Sequence, residues 1–241
     1  MNSTDLTSKA AIITGASSGI GEATARELDR AGMRLVLTAR RGEVLEQLAG
    51  ELTAAVAVPG DIADPDLPAE LIEASVREFD SCDVVFNNAG VMHVGGIEEI
   101  DLDAICRMVR VNVEAAYRMA YVALRHFLKQ EAGHLVNTSS ILGTKVRPTT
   151  GAYAGTKYAI EALSEALRME VAGTGVRVGV VQPGLTETHL QDHFATHPKE
   201  SLGIEQMAKA EDVARAVRWL LEQPGHVNVP QVMVMPSEQG M

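Results

Sequence analysis

The chain has 241 residues, 46% of them hydrophobic and 22% charged, with a formal net charge of −11. That length suits one large α/β domain or two small ones, and the balance is that of a globular chain with a sizeable core. The acidic excess argues against nucleic acid or an anionic membrane as the main partner. The first apolar run, Ala10-Ala11-Ile12-Ile13, reads as a buried strand. Thr14-Gly15-Ala16-Ser17-Ser18-Gly19-Ile20-Gly21 follows, and then a helix over Glu22 to Leu28. A glycine-rich turn between strand and helix can cradle a phosphate. Glycine permits a tight turn and a close approach to the amides, and the helix start adds free N–H groups and a positive dipole end. An ordinary βα turn is the competing reading.

Further along, Met33 to Thr38 is a second strand and Glu43 to Leu52 a helix. Strand 55–58 and helix 67–79 come next, then strand 83–87 and a long, mostly helical stretch from Leu102 to Lys129. Strand 133–138 precedes a second long helix, Ala152 to Ala172. Strand 176–181, helix 210–222 and strand 232–235 complete the chain. Alternating β and α units predict an α/β fold: a doubly wound parallel sheet flanked by helices on both faces. Runs apolar on both faces fit strands covered on both sides. No linker, repeat or low-complexity tract divides the chain, so one domain over 1–241 is expected. The least regular stretch, Leu185 to Met207, carries Thr188, Asp192, Pro198 and Gly203 as turn or cap signals. It is expected to form a lid over the ligand crevice, with Pro183-Gly184 as its hinge. Met1 to Thr7 is polar, without a signal-peptide apolar core, and no apolar run is long enough to span a bilayer. The two cysteines, Cys82 and Cys106, lack metal-like spacing. A reducing, cytoplasmic setting is expected.

Tyr153 and Lys157 lie four apart near the start of a predicted helix, which puts them on one face. Tyrosine has a reference pKa of about 10, and a neighbouring ammonium should lower it. A tyrosine so tuned can protonate a carbonyl oxygen or deprotonate an alcohol. Ser139 and Ser140 end the fifth strand, at the rim where ligands bind. A surface Tyr/Lys pair is the competing reading.

The combined motifs resemble the short-chain dehydrogenase/reductase family over nearly the whole chain. They are Thr14-Gly15-x-x-x-Gly19-x-Gly21, Asn87-Asn88-Ala89-Gly90, Asn112, Ser140, Tyr153-x-x-x-Lys157 and Pro183-Gly184, in that order. The resemblance implies a reductase or dehydrogenase that moves hydride between a nicotinamide and a carbonyl or alcohol carbon. It makes Tyr153 the general acid or base and Ser140 the group that polarises the carbonyl. Lys157 would tune the tyrosine and hold the nicotinamide ribose, and Asn112 would anchor a water linking Lys157 to solvent. Gly15, Ser17, Ser18, Gly19, Ile20 and Gly21 would form the cofactor turn. Asp61 and Ile62 would border the adenine, and Asn88, Ala89 and Gly90 the adenosine ribose. Pro183 and Gly184 lead into Leu185, Thr186 and Thr188, which would hold the carboxamide and phosphates. Family members of this kind also pair their long helices, so a homotetramer, or at least a dimer, is expected.

Ala39-Arg40-Arg41 ends the second strand, where NAD-specific enzymes of this fold place an acid. Arg40, with Arg41 assisting, can fork onto a 2′-phosphate, so NADP(H) is the expected cofactor. Some NADP-using relatives carry a basic residue in the glycine loop; Ser17 stands there in this chain. Met92, His93, Leu142, Val146, Leu190 and Phe194 could wall a substrate pocket, or serve as core and lid packing. His189, His193 and His197 recur every four residues and could bind zinc on a continuous helix. No Cys or carboxylate completes the set, so no metal is expected. The stretch from His226-Val227-Asn228-Val229 to Met235-Pro236 resembles reductases that also oxidise 3-hydroxy acids and serine-like substrates. For a carboxylate substrate, Arg147 is the one nearby cation that the sequence suggests. A nucleotide-binding sensor without turnover is the alternative of another class.

Overall fold

The computed structural model describes residues 4–191, 194 and 198–240. Among them, seven strands form one parallel sheet in the order β3-β2-β1-β4-β5-β6-β9. The strands are β1 (Ala10–Thr14), β2 (Arg34–Thr38), β3 (Ala55–Ala57), β4 (Val84–Asn87), β5 (Gly133–Thr138), β6 (Val176–Pro183) and β9 (Gln231–Val234). Register follows from the apolar runs: Ile12 sits beside Val36 of β2 and Val85 of β4.

Alternate strand residues face opposite sides, and each side has its own core. Ile12, Val36, Val85, Leu135 and Val178 pack with Leu71, Met119, Phe127 and Leu163. These come from α3 (Leu67–Phe79), α5 (Ala116–Gln130) and α6 (Gly151–Glu170). Ile13, Leu35, Leu37, Phe86 and Val181 pack the other way, against Leu28, Leu45, Val213 and Leu220. Those belong to α1 (Gly19–Arg30), α2 (Gly42–Glu51) and α8 (Ala210–Leu221). Both faces are therefore covered, and every residue of β1 and β4 is buried. The chain reverses its direction of winding between β1 and β4, which opens a crevice at their carboxyl ends.

Three departures from the sequence reading bear on the site. The long helix expected from Leu102 to Lys129 is α4 (Leu102–Val109), a wide π-type turn at Arg110–Ala115, and then α5. Such turns insert one extra residue and recur at functional sites. Secondly, the irregular stretch after β6 is bracketed by an unexpected parallel pair, β7 (Thr186–Glu187) with β8 (Ala208–Lys209). Between them lie a short turn at His189–Gln191 and α7 (Pro198–Ser201). Thirdly, Pro183-Gly184, expected as a hinge, is held in place. Gly184 N donates to Val234 O at 2.7 Å, and Gln239 Oε1 accepts from Leu185 N at 2.8 Å. Asp192, His193 and His197 lie outside the described residues. Among those described, no group of three His, Cys, Asp or Glu side chains could hold a metal ion.

Candidate active site

The turn after β1 is shaped by its glycines. Gly15 has φ +69°, a left-handed conformation, and a Cβ there would stand 3.0 Å from Ala89 Cα. Thr14 Oγ1 accepts from both Asn88 N and Ala89 N at 2.9 Å. Asn88 Nδ2 donates to Thr14 O at 3.0 Å, and Thr138 Oγ1 donates to Asn88 Oδ1 at 3.2 Å. These bonds tie the ends of β1, β4 and β5 together. Thr188 lies against Gly19 at the start of α1, its Cγ2 3.1 Å from where a Cβ would stand.

One cavity of about 1350 Å³ runs across these strand ends. Gly15, Ser17, Ser18, Gly19, Ile20, Arg40, Arg41, Asp61, Ile62, Asn88, Ala89 and Gly90 line it. So do Pro183, Gly184, Leu185, Thr186 and Thr188 on the far side. Gly21 does not. It lies beneath the turn, where a Cβ would collide with Gly15 O, and so lets α1 press against the loop. Met92, His93, Leu142, Leu190 and Phe194 also reach the cavity. Val146 corrects the sequence reading: it is 68% exposed and stands outside the wall. Its neighbour Arg147, in the same loop, lines the cavity instead.

Ser140, Tyr153 and Lys157 line the same cavity, and each is buried. Lys157 Nζ donates to Thr138 O at 2.9 Å and lies 5.8 Å from the centre of the Tyr153 ring. The two serines divide. Ser139 Oγ donates to Lys157 O at 3.4 Å, so it faces α6. Ser140 Oγ accepts from Leu142 N at 3.1 Å and donates to Pro183 O at 3.5 Å, and its hydroxyl lies close enough to Tyr153 to lower the phenol pKa. Asn112 sits just behind the wall, inside the wide turn. Its Oδ1 accepts from Val91 N at 2.9 Å; its Nδ2 donates to Val91 O at 2.8 Å and Thr156 Oγ1 at 3.2 Å. A Cβ on Gly90 would stand 3.4 Å from Asn112 Oδ1 and 3.8 Å from Lys157 Nζ, so Gly90 separates the two by very little.

Burial reverses the expected titration of the pair. The Tyr153 phenol is pushed up to about 12 by desolvation, against a smaller lowering by the Ser140 hydrogen bond. Desolvation also brings Lys157 down to about 8, while Glu161 pulls it partly back. The sequence suggests the charge of the lysine, whereas removal from water is the largest influence on both groups.

The sequence model of the short chain dehydrogenase family matches residues 9–199. The chain belongs to that family. An uncharacterized oxidoreductase of Staphylococcus aureus (strain USA300) is 35% identical over 235 residues, 97% of this chain and 99% of its own. The short-chain dehydrogenase is also similar to two solved structures. One is an alcohol dehydrogenase from Thermococcus sibiricus complexed with 5-hydroxy-NADP. It has a TM-score of 0.86 and 31% identity over 97% of this chain and 98% of its own. The other is a 3-ketoacyl-(acyl-carrier-protein) reductase from Brucella melitensis complexed with NADH, at 0.88 and 30% over 97% and 99%. Oxidoreductase chemistry with a nicotinamide cofactor is therefore the activity of the family to which this short-chain dehydrogenase belongs.

Several lining residues escape the sequence reading. Arg107 and Arg110 reach the cavity from α4 and the wide turn, and Val111 sits beside them. Their three- and four-residue spacing was a usable signal, had the helix been known to face the crevice. Gln239 lines the cavity from the end of the chain, and Glu238 accepts from Glu205 N at 2.5 Å and Gln206 N at 3.3 Å. No local pattern announces a tail that returns more than thirty residues upstream in this way.

Proposed function

We propose that this short-chain dehydrogenase is an NADP-dependent oxidoreductase that interconverts a ketone or aldehyde with an alcohol. The observation that carries the reading is the meeting of Ser140, Tyr153 and Lys157 on the wall of the cavity that begins at the glycine turn. The left-handed Gly15 and Gly19, where side chains would intrude, fit a pyrophosphate. Ser17, Ser18 and Thr188 add hydroxyls beside it. When bound, the nicotinamide supplies or receives the hydride. Tyr153 carries its proton at neutral pH, the form that donates to a carbonyl oxygen in reduction. Ser140 orients that oxygen through a second hydrogen bond. Lys157 holds the ribose hydroxyls, and Asn112, as a positioning residue, fixes the Val91 backbone beside Gly90.

A nicotinamide absorbance assay over a panel of ketones, aldehydes, alcohols and hydroxy acids tests the reading. Carbonyl-dependent NADPH consumption is the expected result. Tight cofactor binding without turnover on any member would favour a nucleotide-binding sensor instead. The free Cys82 and Cys106 support a reducing, cytoplasmic setting. Tyr121 and Leu128 on α5, Tyr158 and Met169 on α6, and Trp219 on α8 leave large apolar side chains exposed. These two groups of helix surface support pairing about two axes, hence a homotetramer. Light scattering of the purified protein should give about four times the 25.7 kDa chain mass. A monomer at micromolar concentration would overturn the assembly.

A further inference from the structure

Tyr153, Lys157 and Glu161 recur every four residues along α6, so Glu161 stands one turn beyond Lys157 on the same face. Its carboxylate is partly buried and is held at both oxygens. Gln182 Nε2, from the interior of β6, donates to Oε1 at 2.9 Å. Gln231 Nε2, from the edge strand β9, donates to Oε2 at 2.9 Å. The short turn after Ser140 closes a third side, for a Cβ on Gly143 would stand 3.1 Å from Glu161 Oε1 and closer still to Ser139 Oγ. Ser139 Oγ in turn donates to Lys157 O. The carboxylate is thus fixed beside the turn of helix that presents Lys157, and the groups that hold it are neutral.

Lys157 has need of an opposite charge. It is buried, and its Nζ gives one of three N–H groups to Thr138 O. A buried ammonium is costly unless charge or hydrogen bonds offset the loss of water. The groups placed beside it are uncharged: Tyr153 one turn back, Thr138 O at the end of β5, and Asn112 across Gly90. Arg107, Arg110 and Arg147 share the cavity and disfavour a further cation there. Among the described residues, Asp61 is the one carboxylate that lines the cavity, and it follows β3, four strands from β5 in the sheet. Four strand spacings are about 19 Å. Glu161 is the charge that acts on the ammonium, against the desolvation that favours the neutral amine.

We propose that Glu161 is a positioning residue for the reaction, whose fixed carboxylate keeps Lys157 in the charged form that holds the nicotinamide ribose. This rests on the oxidoreductase reading above. Glu161 does not line the cavity, so it acts on Lys157 through space and no bond is made or broken at it. Gln182 and Gln231 serve it by fixing where the charge sits.

Two pH profiles test this: kcat/KM for a carbonyl substrate, and labelling of the Lys157 amine by acetic anhydride in the cofactor-free protein, read by peptide mass spectrometry. Glu161→Gln should move both midpoints down by about one unit, the order for one charge at this range in a partly buried site. Its kcat/KM should then be about fivefold below wild type at pH 8 and close to wild type at pH 6, a recovery that a packing defect would not give. Glu161→Asp keeps the charge and should keep most of the wild-type midpoint. Gln231→Lys sets an ammonium against the carboxylate from the exposed edge of the sheet, and should lower both midpoints by about half a unit. Glu165→Gln, one turn further along α6 and exposed, should move neither. Unchanged midpoints in Glu161→Gln would overturn the proposal, even with a lower Tm. A kcat/KM loss in that variant that is equal at pH 6 and pH 8 would do the same and leave Glu161 a packing residue. If Glu161→Gln does not fold, Gln231→Lys decides, and an unchanged midpoint there overturns the proposal. If wild type turns over no carbonyl compound, the reductase reading fails, while the labelling midpoints still decide whether Glu161 holds the charge on Lys157.

Discussion

Replacing Tyr153 by Phe should lower kcat for carbonyl reduction by about 10²- to 10⁴-fold, the range for a positioned acid-base group, with NADPH binding retained. Only the phenol oxygen is lost, and the ring keeps its buried place near the start of α6. That oxygen stands near the Ser140 hydroxyl, and burial keeps it protonated, with a pKa pushed up to about 12. The pH profile carries the same assignment. Lys157, brought down to about 8, is charged below that pH and neutral above it. Since kcat/KM reports groups of the free enzyme, it should fall in wild type as the pH rises through about 8. Tyr153 remains protonated across that range. Steady-state kinetics with a fluorescence titration of NADPH read both quantities. A Tyr153→Phe variant that keeps more than half of wild-type kcat would remove Tyr153 from the mechanism.

Cofactor choice should change by one to two orders of magnitude at the end of β2. Ala39 occupies the position of an acid, so nothing there accepts from a ribose 2′-hydroxyl or repels a 2′-phosphate. Arg40 is exposed at the cavity wall. Arg41 does something that the sequence does not show. Its Nη2 donates to Ser17 O at 2.9 Å and to Ser17 Oγ at 3.0 Å, which lays a guanidinium on the glycine loop. The loop therefore has the cation that its own sequence lacks, borrowed from the next βα turn. Each charge-assisted contact to a 2′-phosphate is worth about 1.5–3 kcal/mol, or roughly 10- to 150-fold. Arg40→Ala should raise the KM for NADPH by that order and barely change NADH. Arg41→Ala should act in the same direction and also loosen Ser17. Ala39→Asp should shift preference to NADH. Measurements of kcat/KM for both cofactors decide it: wild type favouring NADH, or an Arg40→Ala variant with unaltered preference, would refute the assignment.

Much of this was legible in the residues themselves. The strand, glycine turn and helix over 10–30 depend on apolar runs and on backbone freedom within a few positions. The winding of the sheet follows from alternating strand and helix periods, which also places the crevice at the carboxyl ends of the strands. Tyr153 and Lys157 share a face because four residues make about one helical turn. Tertiary structure alone decided the rest. Burial, which no local pattern measures, turns the Tyr153 phenol into a firmly held acid. A wide turn at Arg110–Ala115 breaks what reads as continuous helix and sets Asn112 inward. The path of one irregular loop brings Arg147 to the cavity and leaves Val146 in solvent. Glu238 and Gln239 anchor the segment after β6 from the far end of the chain. Arg41 reaches Ser17 across 24 positions. Spacing along a helix or strand is encoded by short-range geometry, whereas burial and contacts between distant segments exist only after the sheet has closed around them.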